Sequence, residues 1–160
     1  MAKDHAPIWE ETDELPALVI SALRRPVGEV VAIVATVDVD GSPRTAAFGS
    51  VRPITSRELR FGCNRTHGTF ANVVRDGQAM VAIFASPDIA VGIRGRARVL
   101  KEELDCWPGD AAIAIDVSTV KNDALPMAPV ESGITYSVPP DVRVRLRQYF
   151  GELEAAPSAG

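Results

Sequence analysis

A run of almost entirely apolar, largely β-branched residues is the feature of this chain that most constrains its fold. Residues 29–38 read Glu-Val-Val-Ala-Ile-Val-Ala-Thr-Val-Asp. Because β-branched side chains favour strands and the run lacks polar alternation, it predicts a central strand that is covered on both faces. Asp40-Gly41 follows at once, and this dipeptide is the strongest hairpin signal in the sequence. The chain therefore begins its sheet with an antiparallel pair.

Further strands follow with short turns between them. We predict a return strand after the hairpin and five later strands, at residues 43–53, 58–63, 78–85, 89–100, 111–120 and 134–138. Helices are predicted at residues 8–23 (interrupted or restarted at Pro16), 66–75 and 141–153. Strands that follow one another without crossover helices form an antiparallel sheet. Six or seven such strands tend to close into a barrel or to split into a sandwich.

Length and composition indicate one cytoplasmic domain. A chain of 160 residues is a natural size for a single domain over residues 1–160, and we expect residues 1–7 and 155–160 to be disordered. The N-terminus lacks the apolar stretch of a secretory signal, and no apolar run could cross a membrane. The net charge is −4 and the basic residues are scattered, which argues against a nucleic-acid partner. Small acidic ligands remain open, since they need only two or three local cations.

The cysteines and histidines indicate neither a metal site nor a catalytic nucleophile. Cys63, Cys106, His5 and His67 would all be needed for a four-ligand zinc site, and their spacing is not that of such sites. We therefore expect no metal. Free thiols in a reducing compartment are the simpler expectation, with a disulfide as the alternative. Cys63 and His67 lie four residues apart, but a thiolate nucleophile needs a third orienting group, so no catalytic residue is predicted.

Three stretches of the chain, taken in order, form a recognisable pattern. Residues 34–43 form a strand that ends in Ala-Thr, an Asp-Gly turn and a proline. Residues 59–64 read Leu-Arg-Phe-Gly-Cys-Asn and precede Asn72 on a helix. Residues 91–99 form a long strand with a central Gly-x-Ala. In this order and spacing, the three stretches resemble the FMN-binding split-barrel family of pyridoxamine 5'-phosphate oxidase-like proteins. The resemblance implies an all-β fold with short flanking helices, an antiparallel split β-barrel, and a homodimer that holds FMN between its subunits.

The resemblance also implies where the flavin ring would lie. In that family the ring lies against the second strand, which here supplies the candidate cofactor-binding residues Phe48, Gly49, Ser50, Val51 and Arg52. Small residues such as Gly49 and Ser50 let a backbone approach a flat ligand closely. Arg52 is expected beside the flavin, where a cation would stabilise the anionic reduced ring. The alternative is that Arg52 simply ends a strand in solvent.

The phosphate loop implied by the resemblance runs over residues 63–69 and leads into a helix. Its candidate cofactor-binding residues are Cys63, Asn64, Arg65, Thr66, Thr69 and Asn72. A helix start with hydroxyls is a ready anion site. The oxidases have an Arg-Lys pair where this chain has Gly68-Thr69, which removes a reason to expect vitamin-B6 oxidase activity itself.

The missing cation pair needs a substitute if FMN binds. We expect Arg65 to compensate, helped by Thr66 and the helix start, with Arg44 or His67 as alternatives. The alternative is that Thr66 or Thr69 has a structural role only and caps the helix.

The resemblance implies a flavin-dependent oxidoreductase that acts on a small-molecule substrate. Trp107 lies in a loop and is expected either to stack on the flavin of the opposite subunit or to pack on the barrel end. Two alternatives for the function remain open: a relative that uses deazaflavin or haem, and a cofactor-binding module without turnover.

Overall fold

Residues 11–158, the part of the chain described by a computed structural model, fold into seven strands and three helices. The strands are β1 (Ala32–Val37), β2 (Pro43–Phe48), β3 (Arg52–Thr55), β4 (Glu58–Asn64), β5 (Gln78–Ala85), β6 (Ile89–Lys101) and β7 (Asp110–Asn122). The helices are α1 (Ala17–Leu23), α2 (Gly68–Arg75) and α3 (Pro140–Ala155). No helix within residues 11–158 has the length and apolar character needed to cross a membrane.

All seven strands belong to one antiparallel sheet, in the order β2-β1-β5-β6-β7-β4-β3. Its two edge strands, β2 and β3, are consecutive in the chain and are separated only by residues 49–51. The sheet therefore curls so that its two edge strands approach each other where residues 49–51 join them, and the edges do not pair. This is the antiparallel split β-barrel that the sequence predicts, and that prediction is confirmed.

The barrel interior is filled by aliphatic and aromatic side chains from the inward faces of the strands. Fully buried members include Val34, Leu59, Phe61, Val81, Ile83, Ile93, Ile113 and Ile115. α1 closes one end of this core with Val19 and Leu23. A second, smaller core lies beneath α3 and contains Leu104, Ala112, Tyr149, Phe150 and Leu153. α3 thus adds its own apolar layer outside the barrel.

The hairpin at Asp40-Gly41 is confirmed. β1 pairs with β2 from Ala32↔Phe48 to Val37↔Pro43. Gly41 has a φ of +86°, which a glycine adopts without steric cost. The Ser42 amide donates to Asp40 Oδ1 at 2.9 Å and secures the turn.

Three predicted elements differ from those observed. The return strand over residues 43–53 is divided into β2 and β3 at the turn that begins with Gly49. The predicted strand over residues 134–138 is absent: it has no ladder, and its Tyr136 amide donates to the Gly28 carbonyl at 3.0 Å. The first helix begins only after Pro16, whose extended ψ of 149° is not helical. Of the predicted helix, residues 8–10 lie outside the described residues.

β1 is covered on one face only, whereas the sequence predicts cover on both. Its inward residues are buried, but Ile33, Ala35 and Val37 on the opposite face are half-exposed. β5 continues this surface with Met80, Ala82 and Phe84. We call these six residues the outer face.

The end of the chain is bound to the barrel up to Ser158, although the sequence predicts disorder from residue 155. Arg60, only 2% exposed, donates to the carbonyl oxygens of Leu153 (2.9 Å) and Ala156 (2.7 Å) and to Ser158 Oγ (3.0 Å). Glu58 pairs with the same guanidinium at 2.6 Å. A buried cation thus satisfies the free carbonyls at the end of α3. Residues 159–160 and the predicted disordered segment 1–7 lie outside the described residues.

Glu152 ties α3 to the connection between β6 and β7. Its carboxylate accepts from Lys101 Nζ at 2.9 Å and from the backbone amides of Cys106 (3.0 Å) and Asp105. Burial by itself raises the pKa of Glu152. The hydrogen bonds from Cys106 and Lys101 outweigh that effect and hold the pKa at about 2.

Replacing Glu152 with glutamine should destabilise the fold most at neutral pH. The folded pKa of about 2 lies below the ordinary value of 4.5, so the carboxylate stabilises the fold fully above that value. That stabilisation disappears as the pH falls from 4.5 to about 2. Denaturant unfolding of both proteins at several pH values should show the difference in free energy of unfolding shrinking across this range. A difference that is constant with pH would contradict it, and Glu102→Gln at an exposed site is the control.

Candidate functional site

The loop between β4 and α2 is organised by its own side chains. Asn64 Oδ1 accepts from the Thr66 amide (3.0 Å) and the Thr66 hydroxyl (2.6 Å), and Asn64 Nδ2 donates to Asp110 at 3.2 Å. His67 caps α2, because its Nδ1 accepts from the Thr69 amide at 3.1 Å. The alternative that Thr66 or Thr69 merely caps the helix is therefore wrong. The imidazole ring of His67 performs that role, with Nδ1 as the acceptor.

Arg44 brings a cation to the start of α2. A Cβ built on Gly68 would lie 2.9 Å from the Arg44 guanidinium carbon, so this glycine leaves the space that the guanidinium occupies. Arg44 Nε also pairs with Asp38 Oδ1 at 2.7 Å. The hydrogen bond from Arg44 is the main cause that lowers the pKa of Asp38, and Asn72 adds to it. The cation lies where the sequence lacks the Arg-Lys pair.

Asn72 orients this arrangement from below. It is buried, and its Nδ2 donates to Thr36 Oγ1 (3.0 Å) and Asp38 Oδ1 (2.8 Å). Its Oδ1 accepts from Arg75 Nη1 at 2.9 Å. Asn72 therefore holds Asp38, which in turn holds Arg44. We call Arg44, His67, Gly68 and Thr69 the helix-start cluster.

Thr69 is fully buried at the start of α2. Its hydroxyl oxygen has no hydrogen-bond partner among the residues that the structure describes. Buried polar atoms are nearly always paired, so this unpaired hydroxyl at a helix start is an exception. The Arg44 guanidinium and the N-terminal end of α2 together suit an anion.

Two loop residues predicted to bind the cofactor lie apart from the helix-start cluster. Arg65 Nη1 pairs with Glu103 Oε2 at 3.1 Å, and both side chains are exposed. Cys63 points into the barrel and is only 1% exposed. Burial, the largest cause, and the charge of Asp110 raise the pKa of Cys63 to about 11, so its thiol stays protonated at neutral pH. Both cysteines are free, as predicted.

The strand predicted to lie against the flavin ring contributes both core and surface residues. Phe48 packs on Phe61, with ring centroids 4.8 Å apart, and Val51 is buried. Ser50 Oγ accepts from the Gly62 amide at 3.0 Å and ties the turn to β4. Gly49 is in close contact with the Tyr136 ring, which a Cβ at this position would overlap. The flat group that approaches Gly49 within the protomer is therefore Tyr136.

Arg52 is half-buried, so the alternative that it ends a strand in solvent is wrong. Its Nη1 donates to the carbonyls of Leu23 and Arg25 at the end of α1, and its guanidinium lies 4.2 Å from the Phe150 ring centroid. Burial lowers the pKa of Arg52. These contacts give Arg52 a capping role in the protomer. Its place beside a flavin stays a prediction.

Trp107 packs on the end of the barrel. Its ring meets Tyr149 edge-on with centroids 5.7 Å apart, and the Arg145 guanidinium lies 4.4 Å from its centroid. The packing alternative accounts for these contacts. Stacking on a flavin of a second subunit stays a prediction.

The outer face is a continuous apolar surface on the sheet. Ile33 lies opposite Ala82, and Ala35 lies opposite Met80. Met80 and Phe84 remain 38% and 45% exposed, which is high for large apolar side chains. A cavity of about 560 Å³ continues from this face and is lined by Ala35, Val37, Met80, Arg94, Asp116 and Ser118, among others.

Sequence reasoning missed Tyr136 and named Arg44 only as an alternative. Arg44 could have been found from the hairpin, because the Asp40-Gly41 turn sets the register that pairs it with Thr36, beside Asp38. No comparable signal exists for Tyr136, which reaches Gly49 from a segment without regular structure.

Comparison with solved structures identifies relatives of the same fold. A candidate pyridoxamine 5'-phosphate oxidase from Lactobacillus delbrueckii is 20% identical, with a TM-score of 0.58, and the match covers 68% of this chain and 94% of that one. An F420 reductase is 18% identical, with a TM-score of 0.54 and coverage of 67% and 98%. HupZ of Group A Streptococcus is 20% identical, with a TM-score of 0.53 and coverage of 65% and 90%. At such identities the likeness establishes the fold alone.

Sequence comparison establishes the family. No curated protein matches the chain significantly. The family model for pyridoxamine 5'-phosphate oxidase matches residues 23–127, which span β1 to β7 and include the helix-start cluster and the outer face. With the split barrel, this match over more than half of the sequence means that the chain belongs to the pyridoxamine 5'-phosphate oxidase-like family.

Proposed function

We propose that this protein is a cytoplasmic flavoprotein that binds FMN between two copies of the chain and acts as an oxidoreductase on a small-molecule substrate. When bound, FMN supplies the hydride or electron transfer, and the protein supplies binding, orientation and electrostatics. The chain's own residues therefore have three tasks: to hold the phosphate, to receive the ring and to close the cleft.

The observation that carries the proposal is the guanidinium of Arg44 held against Gly68 at the start of α2. A helix N-terminus favours anions, and a guanidinium binds phosphate through short, charge-assisted hydrogen bonds. Asp38 and Asn72 hold Arg44 in place, so little side-chain entropy remains to be lost on binding. The residues present thus fit a phosphate group.

Gly49 and Ser50 support the ring side of the proposal. Of residues 48–52, which are predicted to lie against the ring, only these two are both small and not fully buried. Because Tyr136 covers Gly49, a ring bound at Gly49 meets Tyr136, and the segment that carries this tyrosine has to adjust.

The outer face supports a homodimer. Its large apolar side chains are exposed in the protomer, and a two-fold interface uses the same patch on both copies. Apolar and aromatic residues are typical of interface centres. A second copy on this face would also cover β1 on its exposed side, as the apolar run of the sequence predicts.

Changing Arg44 to alanine should weaken FMN binding by roughly 10- to 100-fold and leave riboflavin, which lacks the phosphate, nearly unaffected. Hydrogen bonds to charged groups contribute about 1.5–3 kcal/mol, which corresponds to that factor in affinity. Fluorescence titration of the apoprotein with both ligands measures the effect. Arg65→Ala is the matched control, because Arg65 pairs with Glu103 instead.

Equal losses for FMN and riboflavin would contradict a phosphate contact at Arg44. If only Arg65→Ala lowers the affinity for FMN and not that for riboflavin, then Arg65 contacts the phosphate, as predicted from the sequence. The visible spectrum of the purified protein tests the cofactor class: flavin bands support the proposal, whereas a Soret band indicates a haem-using relative. A protein that binds no flavin on reconstitution would overturn it.

A further inference from the structure

A cavity of about 410 Å³ lies between the end of α1 and one face of α3, and arginines dominate its lining. Its charged residues are Arg24, Arg25, Arg52, Arg143, Arg147 and Glu154. Five guanidinium groups and one carboxylate therefore surround one space in a chain whose net charge is −4. We call this cavity the arginine pocket. It shares no residue with the helix-start cluster.

The arginines of α3 lie where helix stability does not favour them. Arg143 and Arg147 are four residues apart, so they share one helix face and repel each other. α3 begins at Pro140, and Arg143 lies near that positive end of the helix dipole, where cations are unfavourable. Arg145, between them, is on a different face and packs on Trp107. An anion in the pocket would compensate both unfavourable placements.

The pocket arginines are not neutralised by neighbouring carboxylates. Within residues 11–158, Arg24, Arg143 and Arg147 form no ion pair. Arg25 donates to the Ser86 carbonyl, a neutral acceptor.

A purely structural account covers only part of the cluster. Cations at the C-terminal end of α1 stabilise that helix, which explains Arg24 and Arg25. Arg52 caps the same helix end. Neither reason applies to the two exposed arginines of α3, of which Arg143 makes one long hydrogen bond, from Nη2 to the Val138 carbonyl at 3.4 Å.

We propose that the arginine pocket binds the phosphate group of a small organic molecule. Its guanidinium groups come from three segments, the turn that follows α1, β3 and α3, so they approach from different directions. A phosphate dianion offers three terminal oxygens that point in different directions and suits such a set, whereas a carboxylate offers two oxygens in one plane. Pro26, Val27 and Phe150 form apolar walls for the non-ionic part of the ligand. The volume is in the range of small-molecule pockets.

The proposal goes beyond flavin binding and is tested separately from it. Calorimetric titration of the full-length protein, as purified, with pyrophosphate at constant ionic strength should show saturable binding. The double variant Arg143→Gln/Arg147→Gln should weaken it by roughly 10- to 100-fold or more, because it removes charge-assisted hydrogen bonds. Both positions are exposed, and glutamine is a good helix former, so the fold should be retained.

The matched control is Arg145→Gln, which removes one positive charge from the same helix outside the pocket and should leave the pyrophosphate affinity unchanged. A comparable loss in this control would mean that only net charge matters and would overturn the site. Citrate binding as tight as that of pyrophosphate would overturn the assignment to phosphate. If the double variant loses FMN affinity, these arginines belong to the flavin site instead. If the parent protein shows no saturable pyrophosphate binding, the proposal is refuted.

Discussion

Replacing Arg60 with leucine should detach the end of α3 and lower the free energy of unfolding by about 3–5 kcal/mol, the usual cost of removing one partner from a buried ion pair. Arg60 is 2% exposed and is the shared donor for the last carbonyls of α3 and for Ser158. Leucine fills much of the space but donates nothing. The carboxylate of Glu58 and the helix-end carbonyls would then be buried without partners.

Denaturant unfolding at a fixed protein concentration measures this loss. The Tm should fall by roughly 6–20 °C, at about 2–4 °C for each kcal/mol in a chain of this size. Arg57→Leu is the control, because Arg57 pairs with Asp13 and Glu14 at an exposed site, where ion pairs contribute about 0–1 kcal/mol. A similar change in stability for the two variants would contradict the role assigned to Arg60.

Changing Ala82 to glutamate should convert the dimer that we propose into monomers. Ala82 lies at the middle of the outer face, between Ile33 on β1 and Gly92 on β6. Because the interface is two-fold, the substitution places one carboxylate on each subunit. The two like charges would then lie close together where little water can solvate them, which disfavours association. Flavin affinity should fall with the dimer, since the proposed cleft needs both subunits.

Sedimentation at micromolar protein concentration and flavin titration test this prediction together. Val74→Glu on α2 is the matched control, because Val74 is a 63% exposed apolar residue outside the outer face. A variant that stays dimeric would show that the interface lies elsewhere. A monomer that binds flavin as tightly as the parent protein would refute the shared cleft.

The candidate site was predictable to the extent that it follows the hairpin and the strand order. The loop between β4 and α2 lies where the resemblance implies it, whereas the turn at Gly49 interrupts a strand that was predicted to be continuous. The roles of individual residues inside those segments were not predictable. Asn72 binds Asp38 because α2 packs against the end of β1, a contact between residues far apart in sequence. The cap made by His67 is local, but threonine is the more usual residue type at a cap, so the histidine was not predicted.

The sequence by itself determined the sheet. β-Branched runs and the Asp40-Gly41 turn mark most strands to within a few residues, because propensity and turn chemistry act over short stretches of chain. These local signals do not predict the division of residues 43–53 into β2 and β3. It arises where the sheet has to curl, and the Ser50 hydroxyl holds the turn to β4.

Only the tertiary structure decided where charge accumulates. In the sequence, Arg24 and Arg143 are more than one hundred residues apart, and the basic residues look scattered. Docking of α3, through Tyr149 on Gly62 and Arg60 on the last carbonyls, brings them to one cavity. The local register of the hairpin brings Arg44 beside Asp38, but Arg44 reaches Gly68 only because α2 packs there. Such convergence depends on long-range packing, which no local pattern of residues encodes.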